Sequence, residues 1–144
     1  MWLSDDEQRL WRDYLLMTGR LQMAMNRQLH QACGITLADY DVLVALSERG
    51  CLRINDLGAL LGWEQSRVSH QLRRMRERGL VSRSGTSADG RGAEVDLTDA
   101  GRDRLRAAAP GHAELVRSVV FDGMTSTRAR ALRQWTSEVL GRLG

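Results

Sequence analysis

A helix of about 29 residues opens this 144-residue chain, and its length restricts the possible folds more than any other feature. Ser4 and Glu7 have the spacing of a capping box, and Gly34 supplies a stop, so the helix is expected from Asp5 to Cys33. Leu10, Tyr14, Met17, Leu21, Met25 and Leu29 recur along one face, while Leu3, Trp11, Leu15 and Met23 make a second stripe. A rod of roughly 40 Å is longer than a small domain needs for itself. Apolar surface on more than one side asks for cover that one small lobe does not offer. A partner subunit is the economical explanation, and a homodimer is expected.

The rest of the chain reads as short elements closed by glycines. Thr36 caps a second helix over about residues 37–49, with Tyr40, Leu43, Val44 and Leu46 inward and Gly50 at its end. Residues 51–54 are a short, one-sided strand. Asn55 is expected to cap a third helix over 56–61, closed by Gly62, and a fourth runs over about 64–78 to Gly79. Two strands, 80–83 and 93–97, flank a polar, Gly-rich stretch over 84–92 and read as a long hairpin. Thr98 caps a fifth helix, which Pro110-Gly111 should kink or break before it resumes through Val120. Thr125 or Ser126 starts the last helix, ending at Leu143.

The segment from Asn55 to Gly79 places two helices around a tight Gly62-Trp63 turn, the helix-turn-helix arrangement, with the hairpin following as a wing. At about 100° per residue, Val68, Leu72 and Met75 of the second helix share one side, with Gln71 beside them. Ser66, Arg67, His70, Arg73, Arg74 and Glu77 fall opposite. One side is core; the other is polar and basic with short side chains toward its start, as a helix entering a major groove requires. Gln65, Ser66, Arg67, Ser69 and His70 are the base-edge candidates, and Arg73 and Arg74 are better placed for phosphates. All 21 basic residues of the chain are Arg, whose fork suits phosphate and guanine edges better than a Lys point charge. A solvated face with ordinary surface arginines is the bland reading; the adjoining wing argues against it.

These residues carry a family resemblance. The run DLGALLGWEQSRVSHQLRRMRERGLVSR, followed by DGRGAEVDLTDAGRDRL, resembles the MarR (multiple antibiotic resistance regulator) family of winged helix-turn-helix transcriptional regulators. The matching positions are Met75, Gly79, Leu80, Val81 and Arg83, then Asp89, Arg91, Leu97, Thr98 and Gly101. Met75 stands where the family usually has Leu, a volume-conserving change. The resemblance covers almost the whole chain and implies one MarR-type domain over 1–144. Its winged core would span about 36–98 and its dimerisation helices about 4–33 and 99–143. The implied fold is mainly α with a small β-hairpin wing. The implied function is a homodimeric, sequence-specific double-stranded DNA-binding regulator, a repressor on a palindromic operator released by a small-molecule ligand. In the wing, Asp89 can hold the Arg91 guanidinium extended toward a flanking minor groove. The competing reading is a dimeric protein-interaction or architectural winged-helix module without an operator of its own.

Other sites are weaker. An effector pocket between the DNA-binding lobe and the dimerisation helices, again implied by the resemblance, would draw on Trp11, Tyr14, Met17, Arg20, Tyr40 and Trp63. His30 and Cys33 share a helix face, but no Cys or His cluster accompanies them, so no metal site and no cofactor are expected. Cys33 and Cys51 read as buried, inert thiols. Ser66, Ser69 and His70 lack a buried carboxylate partner, so no catalytic set and no enzyme are expected. Two cysteines, no secretory leader and no apolar run long enough for a bilayer point to a reduced, cytoplasmic setting without membrane contact.

Overall fold

The computed structural model describes residues 1–85 and 93–144; Asp89 and Arg91 lie outside the described residues. Mainly helical, the chain runs α1 (Asp5–Cys33), α2 (Leu37–Arg49), β1 (Leu52–Arg53), α3 (Ile54–Leu61), α4 (Gln65–Glu77), β2 (Val81–Ser84), β3 (Glu94–Leu97), α5 (Asp99–Val116), a π-helical turn (Arg117–Phe121) and α6 (Ser126–Leu143). Two compact units divide it, Met1–His112 and Ala113–Gly144. Among the described residues, no helix is long and apolar enough to cross a membrane.

In the first unit, α1 begins at the expected capping box. Ser4 Oγ accepts from the Glu7 amide at 3.2 Å, and Glu7 Oε2 accepts from the Ser4 amide at 2.8 Å. Its C-terminus is closed by arginines from distant elements. Arg78 Nη2 donates to the Gly34 carbonyl at 2.9 Å and Arg104 Nη1 to the Cys33 carbonyl at 3.0 Å. Cations there also suit the helix dipole. Of α1's first stripe, only Leu29 is fully buried; Leu10 and Met17 are exposed in the single chain, as are Trp11, Leu15 and Met23 of the second.

The core sits on α2, α3, α4 and the sheet, with Leu43, Leu46, Leu57, Val68, Met75, Leu80 and Val95 all essentially inaccessible. The strands form a three-stranded antiparallel sheet ordered β1-β3-β2, in which Leu52 pairs with Val95, and Val81 with Leu97. The two-residue β1 thus fastens the wing's return strand to the helical core.

Two expectations need correction. Asn55 does not cap α3: the helix starts at Ile54, two residues earlier than expected, after Arg53 and with no side-chain cap. The Ile54 amide instead donates to the Ala93 carbonyl at 3.3 Å, so sheet pairing leads directly into the helix. Nor does Pro110 break α5, which runs without interruption from Asp99 to Val116. A proline removes one helical N–H bond, and the surrounding turns hold the helix without it. The departure from α geometry comes later, in the π-helical turn over Arg117–Phe121.

The Leu97-Thr98-x-x-Gly101 phrase acquires a physical meaning here. Thr98 Oγ1 donates to the Gly79 carbonyl at 2.6 Å and accepts from the Gly101 amide at 3.0 Å, while the Thr98 amide donates to the Leu80 carbonyl. One hydroxyl ties the end of α4 to the first turn of α5. Gly101 permits the approach, because a Cβ there would run into the Leu80 backbone carbonyl.

Tyr40 and His112 pack ring against ring, with centroids 4.3 Å apart. Burial lowers the His112 pKa from its ordinary value of 6.5. The folded chain therefore resists a proton that the unfolded chain accepts. This group costs no stability above pH 6.5 and costs increasingly more as pH falls below it. Asp41, raised by burial, acts in the opposite sense nearer its own, lower range. His112→Phe is expected to flatten the loss of thermal stability between about pH 6.5 and 5. Melting curves across that range measure it; an unchanged slope would contradict the assignment.

Candidate nucleic-acid interface

The helix-turn-helix is α3, the Gly62-Trp63-Glu64 turn and α4. Gly62 adopts the left-handed conformation, φ 69° and ψ 31°, that lets α3 stop and the chain reverse within three residues. The Trp63 amide donates to the Gly58 carbonyl at 2.9 Å, and the indole packs half-buried against the core. Gly58 keeps the helices close, since a Cβ there would lie 3.3 Å from both the Trp63 carbonyl oxygen and Val68 Cγ2.

α4 is amphipathic in the expected sense: Val68, Gln71, Leu72 and Met75 are buried, while Gln65, Ser66, Arg67, Ser69, His70, Arg73 and Arg74 are exposed. The buried polar residue explains itself through a partner absent from the sequence reading. Asp39 of α2, 3% exposed, accepts from Gln71 Nε2, from Arg78 Nη1 at 2.8 Å and from the Thr36 amide at 2.9 Å. Gln71 Oε1 accepts in turn from Arg74 Nη2 at 3.1 Å. One carboxylate at the start of α2 thus adds a buried polar tether to the apolar packing of Val68, Leu72 and Met75 that holds α4. A readable signal existed: Thr36 and Asp39 have capping-box spacing, and Gln71 is a polar residue on a core stripe.

The exposed face divides in two. Ser66, His70 and Arg73 lie opposite the buried side, whereas Arg67 and Arg74 stand on the flank toward α1 and α2. Arg67 Cζ lies 4.1 Å from the centroid of the Trp63 ring. Both residues, with Asp41, Gln22, Asn26 and Arg74, line a cleft of about 530 Å³. Asp41's pKa is raised by burial, and the Arg67 charge pulls it partly back.

The effector-pocket candidates do not converge on that cleft. Trp63 lines it; Trp11 stacks on Tyr14 with centroids 5.9 Å apart; Tyr40 is core against His112; Arg20 and Met17 are exposed on α1. Cys33 is half-buried, but Cys51 is exposed, contrary to expectation, because it lies in the turn before β1. Cys51 Sγ donates to Glu94 Oε2 at 3.3 Å, and partial desolvation, that bond and the carboxylate's charge push its pKa up. Among the described residues, no group of three or more His, Cys, Asp or Glu is placed to hold a metal.

A helix-turn-helix joined to an antiparallel β2–β3 ladder, with a third strand pinning it to the helices, defines a winged helix-turn-helix protein. Comparison with known proteins specifies it further. Residues 34–92 match the model of the MarR family. Sco3205, a MarR family transcriptional regulator from Streptomyces coelicolor solved in complex with DNA, is 35% identical, with a TM-score of 0.92 over 99% of this chain and 94% of that one. AbsC, another MarR family transcriptional regulator of that organism, is 32% identical, with a TM-score of 0.90 over 99% of this chain and 97% of that one. A mutant MarR from E. coli, solved with operator DNA, shares the fold at 21% identity, with a TM-score of 0.82 over 97% of this chain and 99% of that one. No curated protein matches the sequence. The chain belongs to the MarR family of transcriptional regulators.

Proposed function

We propose that this chain is a cytoplasmic, homodimeric repressor that binds a palindromic operator through α4 and the wing and is released by a small molecule. Both compact units would serve this one function. The carrying observation is α4 itself: its inner face is fixed by Asp39 and the core, and its outer face presents Ser66, Ser69, His70 and Arg73 to solvent. Its first turn holds no acidic residue, so the positive end of the helix dipole and Arg67 reinforce one another. An anionic groove suits that end. The DNA complex of Sco3205 supports the same assignment.

Dimerisation draws support from apolar surface that one chain leaves uncovered. In the first unit Trp11, Leu15 and Met23 are 49%, 48% and 63% exposed, and in the second Trp135 and Leu140 are 43% and 66% exposed. α6 buries none of its residues fully. An obligate interface covering these surfaces would exceed about 2,000 Å². Two-fold symmetry would place the two α4 helices about one DNA turn apart. An effector would enter the Trp63–Arg67 cleft and alter the flank of α4 directly.

Substitution on α4 separates reading from holding. Arg67→Ala and His70→Ala are each expected to cost roughly 1–3 kcal/mol on the operator and to relax preference at one position per half-site. Arg74→Ala should weaken binding to all duplexes alike, as loss of a phosphate contact does. Fluorescence anisotropy on operator and scrambled duplexes distinguishes the two behaviours. Equal losses on both duplexes for all three variants would mean that the base-reading face lies elsewhere.

A further inference from the structure

Arg67 occupies the third position of α4, where the helix dipole opposes a cation and no acidic residue of the first turn offsets it. Glu64, the N-cap, makes no side-chain cap bond either. The helix dipole therefore gives no reason for a cation here, yet the guanidinium lies against one aromatic ring and shares a cleft with a carboxylate, both from outside the helix. The Trp63 ring lies 4.1 Å below Arg67 Cζ, inside cation–π range. The Trp63 side chain packs half-buried against the core, and its backbone amide donates to the Gly58 carbonyl. Asp41, from α2, lines the same cleft and interacts electrostatically with Arg67.

We propose that Trp63 and Asp41 are positioning residues for Arg67, fixing its guanidinium before DNA arrives so that it addresses one base pair in each half-site. The inference rests on the DNA-binding reading above and adds the device that sets its specificity. A free arginine side chain samples many rotamers, and ordering it on binding weakens the complex. Packing on a core-anchored indole, with the Asp41 charge across the same cleft, removes part of that freedom beforehand. Indole supplies the stronger face, but any aromatic ring supplies one, so Phe should stand in for Trp at this position where Leu should not.

Asp41 gives a second handle that runs opposite to fold stability. Its carboxylate is partly desolvated, and burial raises its pKa despite the attraction of Arg67. A raised folded-state carboxyl pKa means that ionisation disfavours the fold at neutral pH. Asp41→Asn is therefore expected to leave thermal stability unchanged or higher while loosening Arg67. A purely structural role would not separate those two readouts.

The test begins with the duplex that the wild-type protein selects from a random library. Affinity is then measured on that duplex, and on versions with each base pair changed, for R67A, W63F, W63L, D41N and W63L/R67A. W63L is expected to lose about three- to fivefold, confined to the base pair whose preference R67A erases. The double variant should lose no more than R67A, W63F should keep most of the wild-type preference, and D41N should relax the same position with its melting temperature maintained. Should W63L unfold, D41N and W63F decide the question alone. Full preference at that position in D41N, additive losses in W63L/R67A, or tighter binding by W63L would overturn the proposal. So would R67A retaining every base preference while the wild type still selects a site. Failure of the wild type to select any duplex would instead sink the DNA-binding reading itself.

Discussion

Asp39→Ala is expected to lower the stability of the fold by about 3 kcal/mol, or roughly 10 °C in melting temperature. The side chain accepts from the Thr36 amide, Gln71 Nε2 and Arg78 Nη1 at a position 3% exposed. Losing the first removes the return arm of the α2 capping box, while Thr36 Oγ1 still caps the residue 39 amide, so this loss is at most about 1 kcal/mol. Losing the second leaves a buried amide donor unsatisfied, about 1–3 kcal/mol. The third loss is the mildest, because the Arg78 side chain is 40% exposed and water can replace its partner. Asp39→Asn can keep an acceptor for Thr36 and Arg78, which share one oxygen, but then turns an amide donor toward Gln71 Nε2, so it should recover only part of the deficit. Thermal melts of both variants check this. Wild-type stability in Asp39→Ala would mean that the network does not hold α2 to α4.

Gly101→Ala is the second large effect, about 3 kcal/mol, at the upper end of what overpacking usually costs. The added methyl meets the Leu80 carbonyl, which is backbone and cannot rotate away as a side chain would. Relief requires α5 to retreat from the end of α4, and that breaks the Thr98 bridge between the Gly79 carbonyl and the Gly101 amide. Thr98→Ser keeps the hydroxyl and should be nearly silent by comparison. Chemical denaturation of the two variants gives the contrast. Near-equal midpoints would contradict the close-approach account of this glycine.

Helix positions were legible because the signals were local. Ser4, Glu7 and Gly34 sufficed for α1, Thr36 and Gly50 for α2, and Thr125 for the start of α6. The turn at Gly62 and the apolar stripe of α4 likewise follow from adjacent residues. What the sequence concealed depends on contacts between residues distant along the chain. Asp39 meets Gln71 and Arg78 across more than thirty positions, and β1 finds β3 across about forty. Asn55 looked like a cap until its neighbourhood was claimed by sheet pairing, and Pro110 looked like a break although its helix continues. In the interface, the division of the arginines is the instructive case. At the level of sequence Arg67, Arg73 and Arg74 group on one polar face; the cleft that Arg67 and Arg74 share with Gln22, Asn26 and Asp41 of distant helices distinguishes the flank from the front.

The central claim is that two copies of this chain read a palindromic duplex. Selection from a random duplex library, followed by native mass measurement of the complex on the enriched sequence, tests it most directly. The account predicts an inverted repeat with half-site centres about ten base pairs apart, bound by two chains, with affinity falling steeply as salt rises. An unenriched library, or an enriched single site bound by one chain, would contradict it.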